Sequence, residues 1–126
     1  MIDLSIFLPS IRQNNWNSMY DSILQSCKKY TFELVMCGPF PLTPYLQSKN
    51  NVKMIKDFGS PSRCAQLCTF DCEGELLYHV VDDAFLMKDR IDEAIDQYRK
   101  INNKKAIINM KYREGKNFSG QSMRNT

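Results

Sequence analysis

The sequence predicts an α/β fold of three layers, α/β/α, around a mainly parallel sheet. Three observations predict it. Five short apolar runs recur along the chain, and segments of helical periodicity separate most of them. Each of the first four runs stops at a turn-forming cluster of Pro, Gly, Ser or Asp. The 126 residues, 43% hydrophobic and 25% charged, are enough for one core and leave little room for two domains.

The elements follow in order. Leu4 to Leu8 (LSIFL) is apolar on both faces and reads as a buried strand stopped by Pro9-Ser10. Trp16, Met19, Tyr20, Ile23, Leu24 and Cys27 make one helical stripe, with Asn14 or Asn15 as the N-cap. Phe32 to Cys37 is a second strand closed by Gly38-Pro39, and a helical turn is expected from Pro44 to Ser48. Val52 to Phe58 alternates as a third strand, ended by Gly59-Ser60-Pro61. A helix capped by Ser60 or Ser62 runs from there to near Gly74. Leu76 to Val81 is an almost fully apolar fourth strand, read as buried, that stops at Asp82-Asp83. Asp89 caps a helix with the stripe Ile91, Ala94, Ile95, Tyr98 and Ile101, and Ala106 to Met110 is a fifth strand. Residues 1–112 therefore form the α/β domain, and the polar stretch 113–126 is expected to be loop or frayed.

Composition excludes several classes. The values are ordinary for a globular domain, which rules out a disordered tail, a collagenous chain and a coiled coil. Net charge is only +3, and the densest basic run, Arg99-Lys100 and Lys104-Lys105, lies where a helix end accommodates cations. Nucleic-acid binding is not expected. No apolar run reaches membrane-spanning length, and the N-terminus lacks the pattern of a signal peptide. Five cysteines without disulfide-scaffold spacing fit a reducing, cytoplasmic setting.

In parallel α/β sheets, ligands bind at the carboxyl ends of the strands, so the loops there carry the candidate chemistry. Asp82 and Asp83 follow the fourth strand; adjacent carboxylates repel unless a cation intervenes, and a divalent metal resolves the conflict. The same pair also reads as a turn with an Asp N-cap. Gly59-Ser60-Pro61-Ser62-Arg63 joins a strand to a helix, and Arg63 in the first turn opposes the helix dipole, which points to an anionic or planar partner or to a solvated side chain. Pro9-Ser10-Ile11-Arg12 makes the turn after the first strand. Cys64, Cys68 and Cys72 line one helix face, where three thiols cannot close a tetrahedral site by themselves, so they read as small buried packing residues. His79 reads as a core or edge residue.

Together, the opening strand with its Pro-Ser end, Arg63, Gly74-Glu75, the apolar strand into Asp82-Asp83 and the run Met87 to Ile91 resemble the donor-binding half of family-2 glycosyltransferases. The similarity covers roughly residues 2 to 112 and is specific in the combination rather than in any one motif. It implies a GT-A, Rossmann-like fold, a hexosyltransferase-type activity, a nucleotide-diphosphate sugar donor (often a UDP-sugar) and Mn²⁺ or Mg²⁺. It implies that Asp83 ligates the metal, that Asp82 touches ribose or metal, that Arg63 meets the nucleobase, and that Pro9, Ser10 and Arg12 line the nucleotide cleft. Two positions depart from the family pattern. Cys37-Gly38-Pro39 stands where the family has a base-binding acid, and Ala84 stands where the Asp motif often has a third acid. Family members are longer, with the acceptor site and general base beyond the Asp motif; no residue after Ala106 is well placed for that base, and Glu114, in an expected loop, is the one late candidate. The expectation is thus the donor-binding portion of an enzyme acting on a glycan, lipid or protein acceptor, with the acceptor half missing. A non-catalytic nucleotide- or sugar-binding module and a generic α/β protein-interaction domain are the alternatives. An open sheet edge would favour a homo-oligomer.

Overall fold

The structure, a computed structural model, describes residues 1–82 and 85–101, together with the strands at 111–113 and 123–125. The elements are β1 (Leu4–Pro9), α1 (Gln13–Ser26), β2 (Phe32–Gly38), α2 (Pro44–Gln47), β3 (Val52–Lys56), α3 (Pro61–Asp71), β4 (Leu76–His79), α4 (Arg90–Ile101), β5 (Lys111–Arg113) and β6 (Met123–Asn125). Residues 1–91 form one compact unit and 92–126 a second. Among the described residues no helix is long and apolar enough to cross a membrane.

The first unit holds a four-stranded sheet in the order β3-β2-β1-β4. Every neighbouring pair is parallel: Leu4 lies opposite both Phe32 and Leu76, and Leu34 lies opposite Val52. Strand side chains alternate between faces, and here the alternation sorts the helices. Tyr20 of α1 meets the Phe32 ring at 5.9 Å, so α1 covers the face that carries Phe32, Leu34 and Met36. Trp16, Met19, Tyr20 and Ile23 are its buried stripe. On the opposite face, Cys64 and Cys68 of α3 pack with Val35 and Cys37, flanked by Phe7, Ile55, Leu67 and Cys72. The α/β/α layering and the structural reading of Cys68 and Cys72 follow from these contacts. Small side chains at four-residue spacing let the helix lie close on the sheet.

Several local expectations change. Neither Asn14 nor Asn15 caps α1. Both lie inside the helix, Arg12 occupies the cap position, and the Ser10 hydroxyl accepts from the Arg12 N–H at 3.3 Å instead. Ser60 does cap α3, accepting from the Arg63 N–H at 3.2 Å, with Pro61 at the first helical position. β3 ends at Lys56, one residue before Asp57, whose N–H still donates to the Gly38 carbonyl at 3.0 Å. β4 is shorter than the apolar run that suggested it, and among the described residues it is an edge strand, with Leu77 54% exposed, rather than a buried one. His79, on that edge, stacks on Phe7 at 5.0 Å. Asp89 adopts a left-handed φ of 62° at the start of α4, where its N–H donates to the Gln25 carbonyl. The expected strand Ala106–Met110 and the late acid Glu114 lie outside the described residues. In the second unit, β5 and β6 pair antiparallel, so the polar stretch after Tyr112 contributes a strand at Met123–Asn125.

At the amino end of the strands, Glu33 is buried and fully engaged. Ser5 Oγ donates to it at 2.6 Å, the Glu73 N–H donates at 2.6 Å, and Lys53 Nζ stands 2.9 Å from Oε1. The Lys53 ammonium also reaches Glu73 at 3.1 Å. These bonds anchor the chain leaving α3 to strands β1, β2 and β3, and so fix where β4 enters the sheet.

Candidate functional site

The carboxyl ends of β1 and β4 meet in one polar cluster. Ser10, one residue past β1, is buried. Its hydroxyl donates to Asp82 Oδ2 at 2.7 Å and accepts from the Trp16 indole N–H at 2.7 Å. One Arg12 guanidinium nitrogen lies 3.5 Å from Asp82 Oδ1. The Asp82 side chain is 15% exposed and that of Arg12 56%, so the pair faces outward from a fixed base. The structure thus brings Pro9, Ser10, Arg12 and Asp82 together. Asp83 and its neighbour Ala84 lie outside the described residues.

Ser10 is held from a second side. Its N–H donates to the Cys37 carbonyl at 3.0 Å, which continues the β1–β2 ladder one residue past the strand. The chains are so close here that a Cβ on Gly38 would sit 2.3 Å from the Ser10 carbonyl oxygen. Only glycine fits this close approach.

Arg63 belongs to a second cluster, beyond β3. Its Nε donates to Asp57 Oδ2 at 3.1 Å and to Oδ1 at 3.3 Å. The Gly59 N–H donates to the same carboxylate at 2.9 Å. The Arg63 hydrogen bond and then the Gly59 N–H hold the Asp57 carboxyl below its usual range, and the same pairing raises the guanidinium further. The anionic partner implied by Arg63's place in the first helical turn is therefore supplied by the chain itself. The Arg63 side chain remains 62% exposed. Cys64 Sγ lies 3.8 Å from Asp57 Oδ2, and Cys37 completes a group whose ligand atoms all lie within 4.8 Å of one another.

Two residues were missed by sequence reasoning. The alternating run Val52–Phe58 includes Asp57 in the strand, although an acid two residues before Gly59-Ser60-Pro61 is placed to leave it. Trp16 was counted only as helix stripe, and its indole N–H, which must find a partner when buried, was the signal that it holds a polar group. None of Pro9, Ser10, Arg12, Arg63 or Asp82 lines the shallow groove formed by Phe40, Pro41, Leu42, Gln47, Met54 and Lys56.

The fold is a Rossmann-like α/β one, a four-stranded parallel sheet with helices on both faces. It is similar to the crystal structure of S. aureus TarS 1–349, a glycosyltransferase, with a TM-score of 0.65 and 18% sequence identity over 79% of this chain. The chain spans about a third of that structure's length, 33% of it being covered. No family model matches the chain, and no curated protein matches it.

Proposed function

We propose that the chain binds a nucleotide-diphosphate sugar, a UDP-sugar by preference, as the donor-binding portion of a cytoplasmic glycosyltransferase of hexosyl-transfer type. The observation that carries this reading is the Ser10–Asp82–Arg12 cluster where β1 and β4 end, within a glycosyltransferase-like fold. Parallel α/β sheets bind ligands at this end of the strands.

The division of labour follows the two clusters. Ser10 and Arg12 engage Asp82 and give it one orientation, facing the cleft that Pro9 and Ser10 line. Adjacent Asp82 and Asp83 offer only oxygen donors, which suit Mn²⁺ or Mg²⁺. Both Asp82 oxygens already have partners, so Asp83 is the principal ligand and Asp82 the ribose or secondary metal contact. When bound, the metal supplies charge neutralisation for a diphosphate. Arg12 adds a second positive charge on the same side. Arg63, exposed and braced by Asp57, offers a planar face and N–H groups to a nucleobase. The ends of β1 and β3 are two strand spacings apart, about 10 Å, comparable to the reach from a nucleobase to its diphosphate. Residues 1–112 make up the donor-binding domain, and a glycan, lipid or protein hydroxyl is the acceptor.

Calorimetric titration of the chain with UDP, in the presence and absence of Mn²⁺, tests this reading. UDP binding that Mn²⁺ strengthens, and that Asp83→Ala weakens at least tenfold, is the expected result. Absence of UDP binding in the presence of Mn²⁺ overturns the proposal, and binding unchanged by Asp83→Ala removes the metal role.

A further inference from the structure

The geometry points to a second and chemically different metal site: Cys37, Asp57 and Cys64 form a three-ligand site for Zn²⁺. It goes beyond the donor reading and does not depend on it. Three separate elements supply the ligands. Cys37 is next to last in β2, Asp57 is the first residue past β3, and Cys64 is in the first turn of α3. The two sulfurs and a carboxylate oxygen lie within 4.8 Å of one another. Tetrahedral zinc, with Zn–S near 2.3 Å, holds its sulfurs about 3.8 Å apart. The ligands are therefore within about 1 Å of coordinating geometry, a distance that side-chain rotation covers.

The donor set selects the ion. Two thiols and one carboxylate favour a thiophilic cation over Mg²⁺ or Mn²⁺, which take oxygen shells. The surroundings match what zinc sites need. Arg63 Nε and the Gly59 N–H fix the orientation of the Asp57 carboxylate, as outer-shell partners do for metal ligands. Two thiolates and a carboxylate carry one negative charge more than Zn²⁺ neutralises, and the Arg63 guanidinium balances it. Both cysteines are buried, which shields the bond to the metal. Without an ion, burial and then the neighbouring Cys64 push the Cys37 thiol up to about 12, so Cys37 is held as a neutral S–H. On binding, each thiol gives its proton to solvent and forms a Zn–S bond. The other helix thiols are turned elsewhere: Cys68 Sγ lies 3.7 Å from the Leu8 carbonyl oxygen, and Cys72 Sγ 3.2 Å from that of Cys68. A single helix could not close the site. The two strand ends supply what it lacks, and among the described residues the group has three ligands.

The test uses the full chain, purified reduced and stripped with chelator, then titrated with Co²⁺ and Zn²⁺. One equivalent of Co²⁺ should give thiolate-to-cobalt charge-transfer absorption, and Zn²⁺ should abolish it. Cys37→Ser and Cys64→Ser should each weaken Zn²⁺ by about 100-fold or more, and Arg63→Gln by about 10-fold. Asp57→Asn, which keeps the shape of a part-exposed side chain and is the variant least able to disturb folding, should weaken it by a similar 10-fold or more. Cys68→Ala and Cys72→Ser should bind as the parent does. No charge-transfer absorption in the parent overturns the proposal, as does absorption that survives Cys37→Ser or Asp57→Asn. A Cys37–Cys64 disulfide in protein prepared with Zn²⁺, seen as a mass lower by two hydrogens, overturns it too. UDP calorimetry on the same samples reports only on the donor site, so either reading can fail alone.

Discussion

The Ser10 hydroxyl donates to Asp82 Oδ2 at 2.7 Å across 72 residues of sequence, while the Trp16 indole N–H donates to the same Ser10 oxygen. One small side chain thus ties the acid motif to the central strand and to the helix beneath. A hydroxyl can serve both because it gives one hydrogen bond and accepts others.

Removing that hydroxyl takes a hydrogen bond from Asp82, from the Trp16 indole and from the Arg12 N–H. Ser10→Ala strands the buried Trp16 N–H and frees Asp82 to swing. An unsatisfied buried donor costs about 1–3 kcal/mol, which should appear as a lower urea midpoint. Trp16→Phe removes the donor instead and should cost less in that contact, although it leaves a small void. A Ser10→Ala protein as stable as the parent contradicts the arrangement.

The two polar clusters should separate in binding experiments. Arg63→Ala should lower UDP affinity about tenfold, the scale of one charge-assisted hydrogen bond, while leaving the Mn²⁺ dependence intact. Asp82→Asn should reduce both. Equal effects from the two variants would show that they do not act at opposite ends of one ligand.

Gly38 should tolerate no side chain. Gly38→Ala drives a methyl to 2.3 Å from the Ser10 carbonyl oxygen, a backbone atom that moves only if β1 moves. Overpacking of this kind costs about 1–3 kcal/mol, or roughly 4 °C of melting temperature per kcal/mol. Calorimetric melting measures it. A shift under 1 °C would show that the strand ends part easily.

Glu33 should make stability fall in acid. Burial pushes its pKa up, but the hydrogen bonds from Ser5 and the Glu73 N–H and the pairing with Lys53 outweigh this, and the carboxyl stays below its usual value of 4.5. A carboxyl held low in the folded state stabilises above the unfolded pKa, and that contribution is lost as pH falls through the folded pKa. Glu33→Gln should therefore cost about 1–3 kcal/mol near neutrality, the scale of hydrogen bonds to a charged group. The gap should narrow steadily once pH drops below 4.5. Urea midpoints from pH 7 to pH 2.5 follow it; a constant gap would refute the ionic role.

The sheet was legible because central parallel strands, buried on both faces, read as unbroken apolar runs. LSIFL and FELVMC became β1 and β2 within a residue or so at each end. Strand order is not written in such runs. The apolar composition of Leu76–Val81 suggests a buried strand, yet among the described residues β4 lies at the edge. The Asn cap of α1 failed for a related reason: Ser10, held by tertiary contacts, already served the helix start. Asp57, Cys37 and Cys64 come together only when two strands and a helix start converge, and local pattern carries no record of that meeting. Arg63 was visible as a cation in the wrong place, and its partner was not.

The position of β1 has a cost in time during synthesis. It is made before both of its partners: Leu4 pairs with Phe32 on one side and with Leu76 on the other, the latter at the same 72-residue separation as Ser10 and Asp82. At translation rates of about 5–20 residues per second, the second side of β1 waits roughly 4–14 s for its neighbour to emerge. Throughout that interval an apolar strand edge faces solvent or the next nascent chain. The β1–β4 seam is therefore the kinetically exposed joint of the fold, the place where mispairing on crowded ribosomes would begin.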